Sequence, residues 1–223
     1  MRTLAIGDIH GSFIALSTLL NALDIQPTDR LVFLGDYIDR GPDSKKVLDL
    51  LTQPEAPGSR VFLRGNHEAM ILDARESFLQ ADIWQSYGGL ETAFSYGANY
   101  SRDWASAIPD NHWAFIENTL PFYETANHIF VHACLDPDLD LCDQPAWLLY
   151  WETLDKMQRH KSGKRIICGH TPQRSGKIAE LGYAICIDTG SASGGWLTGL
   201  DVDSGHYWQT NERGDTRTGS LSK

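Results

Sequence analysis

Five short apolar runs in this sequence end in the same way. Leu4-Ala5-Ile6 leads into Gly7-Asp8-Ile9-His10-Gly11, Leu31 to Leu34 into Gly35-Asp36-Tyr37-Ile38-Asp39-Arg40-Gly41, and Val61 to Arg64 into Gly65-Asn66-His67-Glu68. Ile129-Phe130-Val131 runs into His132-Ala133, and Ile166-Ile167-Cys168 into Gly169-His170-Thr171-Pro172. Asp8, His10, Asp36, Asn66, His132 and His170 together form a set of oxygen and imidazole donors. Partly buried carboxylates this dense do not stay ionised without cations. The mixed set suits Mn, Fe or Zn better than Ca or Mg, and its size suits two divalent ions sharing one carboxylate. Paired ions ~3.5–4 Å apart activate water and clamp a phosphoryl group.

Such a set works only if the chain folds its members together. The apolar runs, with Tyr183 to Ile187 and Leu197 to Val202, read as buried strands rich in Val, Ile and Phe. Strand C-termini in open sheets share one edge, where ligands bind. Helical periods lie between the early strands: Phe13, Leu16, Leu19, Leu20 and Leu23 follow a candidate N-cap at Ser12, and Val47, Leu48, Leu50 and Leu51 follow Asp43-Ser44. A hairpin is expected around Asp201 to His206, so the fold class is α/β with a mixed sheet layered with helices. The stretch at 82–123, carrying Trp84, Tyr87, Tyr96, Tyr100, Trp104, Trp113 and Phe115, is expected to be a helical insertion whose aromatics pack it onto the body. The tail at 210–223 is polar and is expected to be mobile.

A chain of 223 residues that is 42% hydrophobic predicts one domain, 1–223. With 29 acidic and 19 basic residues its formal net charge is -10, the wrong sign for non-specific capture of nucleic acid or an anionic membrane. No apolar leader precedes Gly7-Asp8 and no run reaches membrane-spanning length, which predicts a cytoplasmic protein. Cys134, Cys142, Cys168 and Cys186 lack zinc-site spacing, and Cys168 and Cys186 sit inside apolar runs as small buried hydrophobes. Lone histidines at 112, 128, 160 and 206 are left outside the candidate site.

The motifs GDIHG, GDYIDRG, GNHE, HA and GHTP, with Ile187-Asp188-Thr189-Gly190 and Gly194-Gly195-Trp196-Leu197-Thr198, resemble the metallophosphoesterases, and within them the small bacterial and phage PPP-type phosphoprotein phosphatases. The resemblance implies a calcineurin-like fold, a central mixed β-sandwich flanked by helices, around a dinuclear centre. It implies that Asp8 and His10 hold one metal, Asp36 bridges, and Asn66, His132 and His170 hold the other. Asp39 and His67 match an acid–imidazole pair that protonates the leaving alkoxide, and Arg40 matches a phosphate-binding arginine. The implied function is a protein serine/threonine phosphatase, in a wider reading also a tyrosine phosphatase, using water activated by two divalent ions, Mn first and Fe or Zn next. Its partner is then a phosphoprotein or a small phosphomonoester.

One departure stands in the segment from His132 to Leu154. There the family places a second phosphate-binding arginine, and this chain has Thr153. Two other readings remain beside the phosphatase. The first is a diadenosine polyphosphate or nucleotide hydrolase, although in that branch the second motif lacks the acid matching Asp39 and the third ends in Asp, not Glu68. The second is a metal-binding scaffold with weak catalysis.

Overall fold

A computed structural model describes residues 2–54, 57–98 and 103–221. Its first third alternates strand and helix: β1 (Thr3–Ile6), α1 (Phe13–Ala22), β2 (Arg30–Phe33), α2 (Ser44–Leu51), β3 (Ser59–Phe62) and α3 (Asn66–Glu76). Helices fill most of the next stretch, with α4 (Phe78–Trp84), α5 (Leu90–Ser95) and α6 (Asp110–Glu117). Between 82 and 123 the described residues hold the end of α4 with all of α5 and α6; Tyr100 lies outside the described residues. The remainder holds β4 (Phe122–Glu124), β5 (His128–Val131), α7 (Ala146–Trp151), β6 (Arg165–Cys168), β7 (Ala179–Glu180), β8 (Ala184–Cys186), β9 (Asp188–Thr189), β10 (Trp196–Asp201), β11 (His206–Thr210) and β12 (Thr216–Ser220).

Among the described residues the strands form two mixed sheets. One runs β12-β11-β10-β1-β2-β3, with β9 beside β10; the other runs β4-β5-β6-β8-β7. Their inner faces meet in a layer of Ala5, Val32, Leu34, Phe130, Ile167, Ile185 and Leu200. Side chains alternate along each strand, so Leu4, Ile6, Leu31 and Phe33 point the other way and pack under α1 and α2 against Leu16, Leu19, Val47 and Leu48. Ile129, Val131, Ile166 and Cys168 do the same on the far face of the second sheet, with Leu149 of α7. Both faces of these strands are buried, which is why they read as unbroken apolar runs. β1, β2 and β3 are mutually parallel, as are β5, β6 and β8.

Two local expectations give way to long-range contacts. Ser12 occupies the N-cap position of α1 but makes no capping hydrogen bond. The Ala15 N–H donates instead to Glu212 Oε1 at 2.9 Å, which also puts a carboxylate at the positive end of the helix. The tail expected to be mobile is correspondingly built in through Leu221: Thr210 Oγ1 donates to Ala15 O at 2.7 Å, and β12 pairs with β11 from Thr216 to Ser220. A polar edge strand needs backbone partners rather than apolar side chains, so composition did not reveal it.

At the opposite end of β1, Arg2 Nε donates to the buried Asp29 carboxylate at 3.2 Å. That hydrogen bond holds the Asp29 carboxyl down at about 2. Because the folded value lies below the ordinary one, the pair stabilises above the usual carboxylate range, and its contribution drains away as pH falls toward about 2. Arg2→Ala is expected to cost about 1 kcal/mol at neutral pH, and the difference should shrink in acid, read as urea midpoints at pH 7 and pH 3.

Candidate active site

The loops after β1, β2, β3, β5 and β6 meet at one edge of the sandwich, tied by backbone bonds. Ile9 and His10 N–H both donate to Asp36 O, at 3.0 and 2.8 Å, and Gly169 N–H donates to His132 O at 2.8 Å. Among the described residues, six non-glycine positions have positive φ, and five are His10, Asp36, Asp39, Arg40 and His170. Left-handed backbone costs such residues roughly 1–3 kcal/mol each and persists where the surroundings dictate it. Gly65 and Gly169 allow close approach of the candidate ligands, since a Cβ at either would lie 2.1 Å from a carboxylate oxygen of Asp36 or Asp8.

Hydrogen bonding defines which ring nitrogens face inward. His132 Nδ1–H donates to Leu34 O at 2.8 Å and His170 Nε2–H donates to Trp151 O at 3.1 Å. The other nitrogens, His132 Nε2 and His170 Nδ1, therefore present lone pairs 3.2 Å apart, each 3.1 Å from Asn66 Oδ1. Asp36 Oδ1 lies 3.6 Å from His132 Nε2. Four acceptors converge with no proton between them, an arrangement a cation resolves. On the other side His10 Nδ1–H donates to Ile38 O at 3.0 Å, leaving Nε2 facing Asp36 Oδ2 at 3.3 Å. Asp8 accepts the His170 N–H at 3.0 Å through Oδ2, while its buried Oδ1 has no hydrogen-bond partner.

Electrostatics agree with that assignment. Burial pushes His10 down to about 3 and His132 down to about 4, so both rings are neutral, the form in which an imidazole binds a metal. Burial, together with Asp188 and Asp36, drives the Asp8 carboxyl well above its ordinary range. Asp188, similarly buried, rises to about 6. Divalent cations would relieve this excess of acids, so the residues present fit two such ions. The candidate ligand groups are His10, Asp36 and His67 on one side and Asp36, His132 and His170 on the other, with Asp36 common to both.

The His67 imidazole faces a different environment on each side. Its Nδ1–H donates to Asp39 Oδ2 at 2.7 Å, and both side chains are fully buried. Its Nε2 is buried with no partner. Burial opposes the imidazolium, but Asp36 and the hydrogen-bonded Asp39 outweigh it and raise the pKa above the ordinary value. Arg40 is exposed at the site's edge, its Nη1 2.8 Å from His10 Nε2.

The nine residues expected at the site lie on these loops or at the start of α3; five of them, His10, Asp36, His67, His132 and His170, make up the two ligand groups, and the histidines at 112, 128, 160 and 206 lie outside both. Four contributors escaped the sequence reading. Glu68 accepts the N–H groups of Asp36, Tyr37 and Gly65 at 2.8–3.0 Å, locking the second loop to the start of α3. Asp188 adds its buried charge. Trp84 and Thr92 both hydrogen-bond Asp39. The signal for Glu68 was its place three residues past Gly65, where a Glu reaches back to the N-cap N–H as in one half of a capping box.

Comparison with known proteins identifies the family. Serine/threonine-protein phosphatase 1 of Salmonella typhimurium is 33% identical to this chain over 220 residues, 86% of this chain and 88% of that one. The asymmetrical bis(5'-nucleosyl)-tetraphosphatase PrpE of Anoxybacillus flavithermus is 28% identical over 222 residues, 87% and 88%. The crystal structure of a cold-active protein-tyrosine phosphatase of a psychrophilic Shewanella shares the fold, with a TM-score of 0.61 at 17% identity over 97% of this chain and 80% of that one. The profile of the calcineurin-like phosphoesterases matches residues 1–187. That match takes in every strand end described above, and the chain belongs to the calcineurin-like phosphoesterase family.

Proposed function

We propose that this metallophosphoesterase hydrolyses phosphomonoesters with poor leaving groups, foremost the phosphoserine and phosphothreonine of proteins. The observation that supports this reading is the buried His67–Asp39 pair, with a raised imidazole pKa and an unpartnered Nε2 beside the candidate ligands. A serine or threonine alkoxide leaves only if protonated, whereas a nucleotide leaves as a stable phosphate anion. Investment in a fixed proton donor is therefore an investment in alkyl esters. The name of the Salmonella relative agrees, and that of the Anoxybacillus relative supports a second reading, dinucleoside tetraphosphate hydrolysis.

In this mechanism Asp8, His10 and Asp36 would hold one divalent ion, and Asp36, Asn66, His132 and His170 the other, with Mn the first candidate. Such ions supply charge neutralisation at the phosphoryl oxygens and acidity to the attacking water. Arg40 forks onto the remaining phosphate oxygens. His67 delivers the proton on Nε2 to the departing ester oxygen, while Asp39 keeps Nδ1–H fixed and favours the imidazolium. A covalent route through Cys134 is disfavoured, because burial pushes that thiol up to about 12 and it donates to Thr153 O at 3.4 Å.

A panel of phosphopeptides, a dinucleoside tetraphosphate and an aryl phosphate, run with Mn-loaded protein, tests the reading. Phosphoserine and phosphothreonine peptides are expected to give the higher kcat/KM. A clear preference for the dinucleotide overturns it.

The missing second arginine makes a separate prediction. Lys156 pairs with Asp155 at 3.4 Å, Lys161 with Asp140 at 2.6 Å, and Arg159 lies over the Tyr183 ring. Each of the three has a partner outside the candidate ligand set. With Arg40 the sole motif-matched fork, Arg40→Ala is expected to cost ~10²–10³ in rate. Thr153 lies two residues past the carbonyl that receives His170, so Thr153→Arg should lower KM for an aryl phosphate and partly restore Arg40→Ala. Steady-state kinetics on the four variants of the cycle reads the coupling. No coupling between positions 40 and 153 would mean that phosphate is held from elsewhere.

A further inference from the structure

We propose that Trp84 and Thr92, both outside the metal-ligand motifs, are positioning residues that hold Asp39 so that His67 can deliver its proton. The inference rests on the reading of His67 as the acid. Asp39 is fully buried and has no access to water. Its Oδ2 accepts both His67 Nδ1–H at 2.7 Å and Trp84 Nε1–H at 2.8 Å, and its Oδ1 accepts Thr92 Oγ1–H at 2.6 Å. Two of the three donors that orient the carboxylate therefore come from one short segment. Thr92 Oγ1 also accepts the Asp39 backbone N–H at 2.8 Å, bridging both ends of a residue held at φ 71°.

The segment grips the next residue as well. Arg40 N–H donates to Gly88 O at 3.0 Å, and Gly88 adopts φ 108°, where an added Cβ would lie 2.7 Å from the Arg40 nitrogen. Packing alone does not account for Trp84. Its ring is fully buried 4.4 Å from the Trp104 ring, and burying the indole N–H is unfavourable unless it is paired. The partner it has is the dyad carboxylate.

Removing either donor should let the carboxylate turn and the imidazole follow, which harms only a step that needs the proton. Changes to such supporting partners typically cost ~10- to 100-fold. The test compares an alkyl phosphate with an aryl phosphate in Mn-loaded Trp84→Phe, Thr92→Val and Thr92→Ser, with metal content and Tm measured on each. Trp84→Phe and Thr92→Val are each expected to lower the alkyl-to-aryl ratio of kcat by about tenfold. KM and manganese content should be preserved, and Thr92→Ser, which keeps the hydroxyl, should keep the ratio. Equal losses on both substrates, or losses that follow metal content or Tm, overturn the proposal, and either variant alone decides it if the other fails to fold. In a His67→Asn background neither substitution should lower the ratio further, and an additive fall overturns the proposal too. If His67→Asn by itself leaves the ratio intact, the acid reading has failed, whatever Trp84 does.

Discussion

Asp36→Asn is expected to release both metal ions and lower phosphoester hydrolysis by at least about 10³-fold. Several kcal/mol of transition-state charge stabilisation leaves with the ions, and each ~1.4 kcal/mol is tenfold in rate. Asp36 is the one carboxylate common to both candidate ligand groups, with Oδ2 facing His10 and Oδ1 facing His132. An amide keeps the shape but removes the charge that two cations would share, and its N–H₂ would face an imidazole lone pair. Elemental analysis of purified protein is the direct measurement. A second readout needs no turnover: Mn should raise the Tm of the parent, by preferential binding to the folded state, and leave that of the variant where it was. Chelated parent protein should behave like the variant and recover with Mn. Retention of two ions per chain by Asp36→Asn would show that the bridging role belongs to another residue.

The six ligand candidates were legible because they follow a simple physical layout. Strands buried on both faces announce themselves as short apolar runs, and their C-terminal ends are where ligands collect, so the residues just past each run supply the candidates. The same reasoning could not see what lies across the chain. Glu212 caps α1 from 197 residues away, a contact that neither periodicity nor local capping rules encode. Ser12 is where such rules place the cap, yet its side chain makes no capping bond. The tail failed for the opposite reason, since TRTGS carries little apolar signal and is ordered by ladder hydrogen bonds to β11.

Trp84 shows how a residue can be singled out while its role is missed. Aromatics in 82–123 were expected to pack that stretch onto the body; the Trp84 ring lies against Trp104 of the same stretch, and both belong to the cluster that holds Leu16 and Val47. Burial of a ring says nothing about where its one polar atom points. Only the fold shows that the indole N–H ends on Asp39. Backbone strain was equally invisible: His10, Asp36, Asp39, Arg40 and His170 adopt a left-handed conformation that few non-glycine residues take, and the N–H of each is held by a tertiary hydrogen bond at the site.

His67→Asn is expected to separate alkyl from aryl phosphates. A positioned proton donor is worth ~10²–10⁴ where the leaving oxygen is basic, and little where it departs readily as a phenolate. The variant should therefore lose kcat on a phosphoserine peptide by that margin and lose far less on an aryl phosphate. Asparagine is the informative replacement, because it keeps a polar group near Asp39 without a proton acidic enough to donate. Asp39→Asn should show the same selectivity more weakly: the imidazole survives but loses the carboxylate that orients it and raises its proton affinity. The pH profile carries the sign. The donor must be protonated; burial opposes that form, and the Asp39 carboxylate hydrogen-bonded to Nδ1 favours it. The alkyl-phosphate rate should accordingly fall as pH rises through the pKa of His67, an alkaline limb absent from the aryl-phosphate profile and lost in His67→Asn. Equal losses on both substrates would place His67 among the groups that bind phosphate or hold a metal, a role its membership in the His10 and Asp36 group would also permit.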